Sequence, residues 1–316
     1  MIEALSKVWN VSQVPQRSPF RYPGGKTWLV PHVRSWLSHC KPNHLIEPFC
    51  GGASVGLTAA FEGLTEKVTL VELDDDVAAV WRTILEGDVE TLVRQITQFE
   101  ITRESVALAI QRRSRSLTDH AFATILKNRV QHGGIIAPGA SLMKNGENSK
   151  GLRSRWYPET LRRRIEAIAF RRDRLSFVHG DAFGEIRRYL THRKTAFFID
   201  PPYTVAGKRL YLHSQIDHGQ LFALMRRAHG PVLMTYDRSA EIYNLASKHG
   251  FMVEEVAMTG RLNTEKYELL IGNDLSWLSG ARTPQSPALS RIRRSKTSRL
   301  TGVPAVSPST ALSRVV

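Results

Sequence analysis

The stretch HLIEPFCGGASVGLTAAFEGLTEKVTLVELDDD, residues 44–76, decides the fold class. HLIEPF (44–49) is a short apolar strand that ends near an acid. GASVGLTAAFEG (52–63) is a small-residue helix closed by Gly63. KVTLVEL (67–73) is a second strand, again ending near an acid. DDDVAAVWRTILEG (74–87) is a helix with acids in its first turn, where the helix dipole favours them. Strand, helix, strand and helix in this order predict a parallel, doubly wound sheet.

The pattern continues outward. KTWLVPHVRSWLSHC (26–40) has helical apolar spacing, with Pro31 in its first turn. Residues 90–130 read as helical. Residues 131–157 are rich in Gly, Asn, Ser and Lys and read as a long loop, a class that is commonly functional. Pro158 starts a helix with Leu161, Ile165 and Ile168 on one face and Arg162, Arg163 and Arg164 spread around it. Strands resume at 175–183, 195–203, 230–237, 251–258 and 266–273, the last two as a closing hairpin. HGQLFALMRRAHG (218–230) and SAEIYNLASKHG (239–250) are the helices between them.

The chain has 316 residues and a formal net charge of +15. Residues 101–175 hold 16 Lys and Arg against 6 Asp and Glu, and residues 281–316 hold 7 basic residues and no acid. A near-neutral body thus carries a basic insert and a basic tail, the footprint of a polyanion-binding protein. The expected organisation is an N-terminal extension (1–17), an α/β sheet domain (18–99 and 173–280), a basic insert (100–172) and a disordered basic tail (281–316). No window of about 18 apolar residues predicts a membrane span. The N-terminus lacks the pattern of a signal peptide. Cys40 and Cys50 make neither a disulfide framework nor a zinc site. His120, His132 and His179 have no metal-ligand spacing, so no metal is expected. A cytoplasmic chain is expected.

Five acids stand at or just after strand ends: Glu47, Glu72, Asp181, Asp200 and Asp237. Ligands of open parallel sheets bind outside those ends. Each acid singly is as readily a helix cap or turn residue, but the set predicts one acid-lined crevice. Gly51 and Gly52 form a strand-to-helix turn that lets a ligand approach the backbone. Glu72 follows by about twenty residues, the place of a carboxylate that holds ribose hydroxyls. A nucleoside-containing cofactor is implied. No GxGxxG or GxxxxGK[ST] occurs, which disfavours a dinucleotide or a P-loop triphosphate.

TAFFIDPPYT (195–204) raises a separate question, because a buried strand avoids a bare carboxylate. Asp200-Pro201-Pro202-Tyr203 is a stiff turn that presents two acceptors, the Asp200 carboxylate and the Pro201 carbonyl, and one aromatic face, Tyr203. An exocyclic amine of a nucleobase offers two N–H donors. Two fixed acceptors stabilise the positive charge that develops on its nitrogen during attack. The ring clamps the flat base, which must leave the duplex to arrive there.

RYPGGK (21–26), EPFCGG (47–52), VEL (71–73), GDAF (180–183), DPPY (200–203) and KYELLIGN (266–273), in this order, resemble the Dam-like family of DNA adenine-N6 methyltransferases over about residues 18–275. The resemblance implies a Rossmann-like α/β methyltransferase sheet with a helical and loop DNA-recognition insert. It implies methyl transfer from S-adenosylmethionine to adenine N6 in double-stranded DNA. Tyr22 and Lys26 would contact the cofactor, with Gly24 and Gly25 allowing a close turn. Glu47, Phe49 and Gly51 would form its methionine side. Glu72 would take the ribose. Asp181, with Ala182 and Phe183 beside it, would accept from the adenine amine of the cofactor. Asp200 would border the cofactor and, with Pro201, Pro202 and Tyr203, carry the chemistry.

In the insert, Asn128 and Arg129 are loosely similar to the family's Asn-Arg segment. Lys144, Lys150, Arg153, Arg155, Arg162 and Arg163 are the other candidate DNA contacts. Trp156-Tyr157 reads as a core anchor, with base stacking as the alternative. Ala53 stands where the family often has a third glycine, and the insert leaves the recognised sequence open. A monomer is expected, encoded by a bacterium or a phage, with a cognate restriction endonuclease as a possible partner. N4-cytosine methylation, methylation of a protein glutamine amide, and DNA binding through a decayed site are the alternatives.

Overall fold

The computed structural model describes residues 14–21, 25–112, 114–137, 139–144, 146, 150–202, 216–259 and 265–280. The basic tail at 281–316 and most of the N-terminal extension lie outside these residues.

Seven strands form one sheet: β1 (His44–Glu47), β2 (Lys67–Glu72), β3 (Leu175–His179), β4 (Thr195–Ile199), β5 (Val232–Asp237), β6 (Met252–Thr259) and β7 (Glu265–Gly272). Their spatial order is β3-β2-β1-β4-β5-β7-β6. The first five run parallel, and β7 lies antiparallel between β5 and β6. The chain steps outward from β1 to β2 to β3, then returns to place β4 on the other side of β1. That reversal opens a crevice at the carboxyl ends of β1 and β4. Ile46 pairs with Thr69 on one side and Phe197 on the other, so the ends of β1, β2 and β4 are nearly level.

All five residues of β4 are buried, as expected of a central strand with both faces covered. The helices are α1 (Val30–Cys40), α2 (Ser54–Phe61), α3 (Asp75–Glu86), α4 (Val89–Gln98), α5 (Arg103–Gln111), α6 (Leu117–Val130), α7 (Pro158–Ala169), α8 (Ala182–Tyr189), α9 (His218–Met225), α10 (Ala240–Lys248) and the short α11 (Trp277–Gly280). Short polar side chains start most of the longer ones. Asp74, Asp88, Thr102, Ser116, Asp181, Asp217 and Ser239 each accept from a backbone N–H in the first turn. No helix among the described residues is long and apolar enough to cross a membrane.

The parallel sheet and the closing hairpin match the sequence-based expectation. Three elements differ. Residues 90–130 are three helices, because Asp88, Thr102 and Ser116 each cap a new start. The run 175–183 is a strand only to His179; Asp181 then caps α8, which periodicity did not separate from the strand. The 131–157 segment folds back on itself, with a bridge between Gln131 and Leu142 and a bond from the Met143 N–H to the Val130 carbonyl. Met143, Leu152 and Trp156 are buried there.

The insert helices have no core of their own. Val106, Ile125, Leu161 and Ile165 share one apolar cluster with Leu57, Val68 and Trp81 of the sheet layer. Removing the insert would therefore open the core beneath it.

Candidate active site

A cavity of about 870 Å³ opens at the carboxyl ends of β1, β2 and β4. The glycine turn, the acids Glu47, Glu72, Asp74, Asp181 and Asp200, and the insert residues Arg129, Tyr157 and Arg164 all line it. Four of the five strand-end acids thus converge. Asp237 does not line the cavity, and the expectation of a common crevice is corrected for it. It closes β5, which lies beyond β4 from the glycine turn, in register with Glu268 of β7.

The glycine turn holds two of the acids by backbone. Gly51 has φ 43° and Ala53 φ 51°, both left-handed. Ala53 bears a steric cost there that a glycine would not. Glu47 is buried, and one of its carboxylate oxygens accepts from the Gly56 N–H at 2.7 Å. A Cβ on Gly56 would lie 2.6 Å from that oxygen and 2.7 Å from Leu70, so only glycine fits. Burial pushes the Glu47 carboxyl up to about 8, assisted by the nearby Asp200 charge and opposed by the Gly56 and Val55 N–H groups.

Glu72 accepts from the N–H groups of Gly51 (3.0 Å), Leu73 (2.9 Å) and Asp74 (3.1 Å). Burial still raises its carboxyl above the ordinary value, against those donors. The Trp81 indole N–H donates to the Gly51 carbonyl at 2.8 Å and pins the turn from below. Phe49 and Gly51 both face the cavity, as does Gly25.

Asp200 ends the buried β4 without being a bare charge. Its Oδ1 receives the Lys26 ammonium at 2.9 Å and the Thr235 hydroxyl at 2.8 Å. Lys26 also pairs with Glu268 of β7 at 3.0 Å. Lys26 and Glu268 are both buried, at 6% and 3% exposure. Burial works against the lysine charge, but Asp200 and Glu268 outweigh it, and its ammonium is held above the ordinary range. Lys26 was expected to touch the cofactor; the structure ties it directly to the turn that Asp200 opens. Pro201 and Pro202 follow, the first buried and the second on the cavity wall. Tyr22, Gly24 and Tyr203 lie outside the described residues.

Asp181 lines the cavity and also caps α8, one oxygen accepting from the Gly184 N–H at 3.0 Å. The cap reading and the ligand reading are compatible for a carboxylate with two oxygens. Ala182 is buried beside it, and Phe183 faces the cavity.

The insert contacts need correction. Asn128 is fully buried. Its side chain accepts from the Arg21 N–H and donates to the carbonyls of Arg21 (3.0 Å) and Gly134 (2.8 Å), so it closes the loop rather than reading DNA. Arg129 is 4% exposed and donates to the Pro19 carbonyl, yet it lines the cavity. Arg162 lies between Glu159 and Glu166 on the surface of its own helix, each 2.9 Å away, so its charge is already compensated. Arg163 is exposed. Arg164, on the same basic helix, lines the cavity. Lys144, Lys150 and Arg153 are exposed and Arg155 is half-buried.

Trp156 is the core anchor expected, packed edge-on to Phe99 and Phe122. Tyr157 is half-exposed on the cavity wall. Gly56, Thr235 and Glu268 were missed. A glycine five residues after Gly51 was the only signal for Gly56. For Thr235 and Glu268, which act through contacts distant in sequence, none was visible.

Among the described residues no group of three or more His, Cys, Asp and Glu could hold a metal ion. The donor set fits a cationic nucleoside cofactor instead: a buried acid at the glycine turn, a second acid at the next strand end, and a close backbone approach. Residues 22–113 match the family model of the D12 class N6 adenine-specific DNA methyltransferases. That segment holds Lys26, Glu47 and Glu72 and stops short of Asp200. No curated protein matches the chain. Solved structures that align with the chain include precorrin-6y C5,15-methyltransferase from Geobacter metallireducens GS-15 (11% identity, 77% of this chain and 85% of that one, TM-score 0.33). Another is the methyltransferase domain of bacterial CtHen1 (9% identity, 77% and 96%, TM-score 0.34). A third is precorrin 8W decarboxylase from Methanobacterium thermoautotrophicum (10% identity, 77% and 90%, TM-score 0.32).

Proposed function

We propose, for a chain whose residues 22–113 match the D12 class of N6 adenine-specific DNA methyltransferases, that the cavity binds cofactor and extruded adenine side by side and that Asp200 and Pro201 receive the amine. The observation that carries this reading is the placement of Asp200, held by the buried Lys26 and by Thr235, on the same cavity as Glu47 and Glu72. When bound, S-adenosylmethionine supplies an electrophilic methyl group on a sulfonium centre. Glu47 and Phe49 would hold its methionine end, Glu72 its ribose and Asp181 its adenine amine.

The chain's own work is at the amine. Asp200 and the Pro201 carbonyl accept its two N–H groups. The nitrogen gains positive charge as it attacks, and these acceptors are oriented before the reaction begins. Asp200 cannot swing away, because Lys26 and Thr235 hold one of its oxygens. Tyr203 would press on the face of the base. DNA is the partner. A monomer, and service beside a cognate restriction endonuclease, complete the reading. Unmethylated DNA treated with the protein and S-adenosylmethionine, then sequenced to distinguish methylated adenine from methylated cytosine, tests it. Methylation at cytosine N4, or none, defeats it.

Two expectations concern the cofactor. Glu72→Ala removes an acceptor for two hydroxyls and releases three backbone donors. A lost charged hydrogen bond is worth about 1.5–3 kcal/mol, so calorimetry should show cofactor affinity lowered about 10- to 150-fold. Unchanged affinity removes Glu72 from the site. Glu47, with its carboxyl near 8, is largely protonated at neutral pH. Pairing with the cofactor's ammonium requires the carboxylate, so binding at pH 7 should release a proton. Calorimetry in buffers of different ionisation enthalpy measures that release, which Glu47→Gln should abolish.

A further inference from the structure

Part of the cavity lining belongs to the insert rather than to the sheet: Arg129 at the end of α6, and Tyr157, Thr160 and Arg164 at the start of α7. Positions 157, 160 and 164 recur at helical spacing and so share one face. Arg21 lines the cavity beside them. Arg164 donates to the Ser18 carbonyl at 3.0 Å and Arg129 to the Pro19 carbonyl. These bonds fix both guanidiniums without neutralising them. The Arg129 Nε is buried and has no hydrogen-bond partner among the described residues. Burial first, then the charges of Arg164, Arg21 and Arg155, push Arg129 down to about 9, with Tyr157 acting in the opposite direction. Arg164 is lowered likewise by burial and by Arg21. Like charges so crowded are relieved by an anion.

We infer that Arg129 and Arg164 form an oxyanion site in the insert wall of the cavity, and that its ligand is a phosphodiester flanking the extruded adenine. A base that leaves the stack carries its two phosphates toward the cavity with it. The guanidinium fork matches a phosphate, and the surrounding segment is strongly basic. The carboxylate of S-adenosylmethionine is the other available oxyanion. The arginines come from the insert and not from the glycine turn, which favours DNA. The site therefore positions the nucleotide through its backbone, independently of sequence. This inference rests on the adenine-methylation reading above.

The test is a cycle between one side chain and one phosphate. Duplexes carrying the methylated site are made with a neutral methylphosphonate at the phosphate 5′ or 3′ of the target adenine. For the wild-type protein, one of the two should lower kcat/KM about 10- to 100-fold. Arg164→Gln should lower it similarly on the unmodified duplex and lose little more on the neutral one. Cofactor affinity should stay unchanged in this variant. Arg164→Lys, which keeps charge but not the fork, should fall between, and it carries the cycle if Arg164→Gln does not fold. Full additivity of the two losses overturns the phosphate site. So does a fall in cofactor affinity with an unaltered response to the neutral phosphate, which assigns Arg164 to the cofactor carboxylate. If wild-type protein methylates no adenine in the unmodified duplex, the underlying reading fails instead, and the two failures are distinct.

Discussion

Asp200→Ala is expected to abolish methyl transfer while leaving DNA binding through the insert intact. The amine nitrogen becomes positive as it attacks, and Asp200 is the formal negative charge of the turn. Removing one preorganised partner of this kind costs about 100- to 1,000-fold in rate. The structure sharpens the expectation. Lys26 and Thr235 bind one Asp200 oxygen, so truncation also leaves a buried ammonium with Glu268 as its remaining acid partner in that trio. The loss should therefore reach or exceed the upper end of that range. Asp200→Asn should be milder, because its carbonyl still accepts, although it brings N–H donors toward Lys26 and the substrate. Tyr203→Ala should impair capture of the base by about 1–3 kcal/mol through lost stacking. Single-turnover transfer of labelled methyl groups, with DNA binding measured in parallel, reads all three. Full activity in Asp200→Ala would sink the mechanism.

Lys26→Met should be the most destabilising single change in the site. It leaves Glu268, 3% exposed, as a buried carboxylate without its ammonium. Breaking a buried pair from one side costs about 3–5 kcal/mol, because the stranded charge stays desolvated. The unfolding midpoint in urea should drop accordingly. Adding Glu268→Gln to Lys26→Met should recover much of the loss, whereas independent, additive losses would show that the pair is not coupled.

The sign of the pH dependence follows from the raised lysine. Its contribution is complete below the ordinary lysine value of 10.5 and fades as pH rises beyond it, through the higher folded value. At neutral pH the tie between the N-terminal segment and the Asp200 turn is intact. Activity should fall with stability in Lys26→Met, since Asp200 then loses one of the two groups that orient it.

The sequence alone determined the parallel sheet, because strand-helix alternation admits few topologies. It also marked the carboxyl end of that sheet as the candidate site, because Glu47, Glu72 and Asp200 all stand where parallel strands stop. DPPY was legible because two prolines and an acid have no structural use in a central strand. Contacts between distant segments were not legible. The meeting of Lys26, Asp200, Thr235 and Glu268 depends on β7 inserting antiparallel beside β5, a pairing that hydrophobic periodicity does not encode. The same strand order puts Asp237 on β5, on the far side of β4 from the glycine turn, where it does not line the cavity. In the insert, sequence showed a basic helix but not its orientation: Ile165 and Leu161 set the buried face, and packing against the sheet layer then decided that Arg164 reaches the cavity while Arg162 remains outside between Glu159 and Glu166. Asn128 was misread for a related reason. It was chosen on a loose likeness to the family's Asn-Arg segment, and only the tertiary structure surrounds it with three backbone partners.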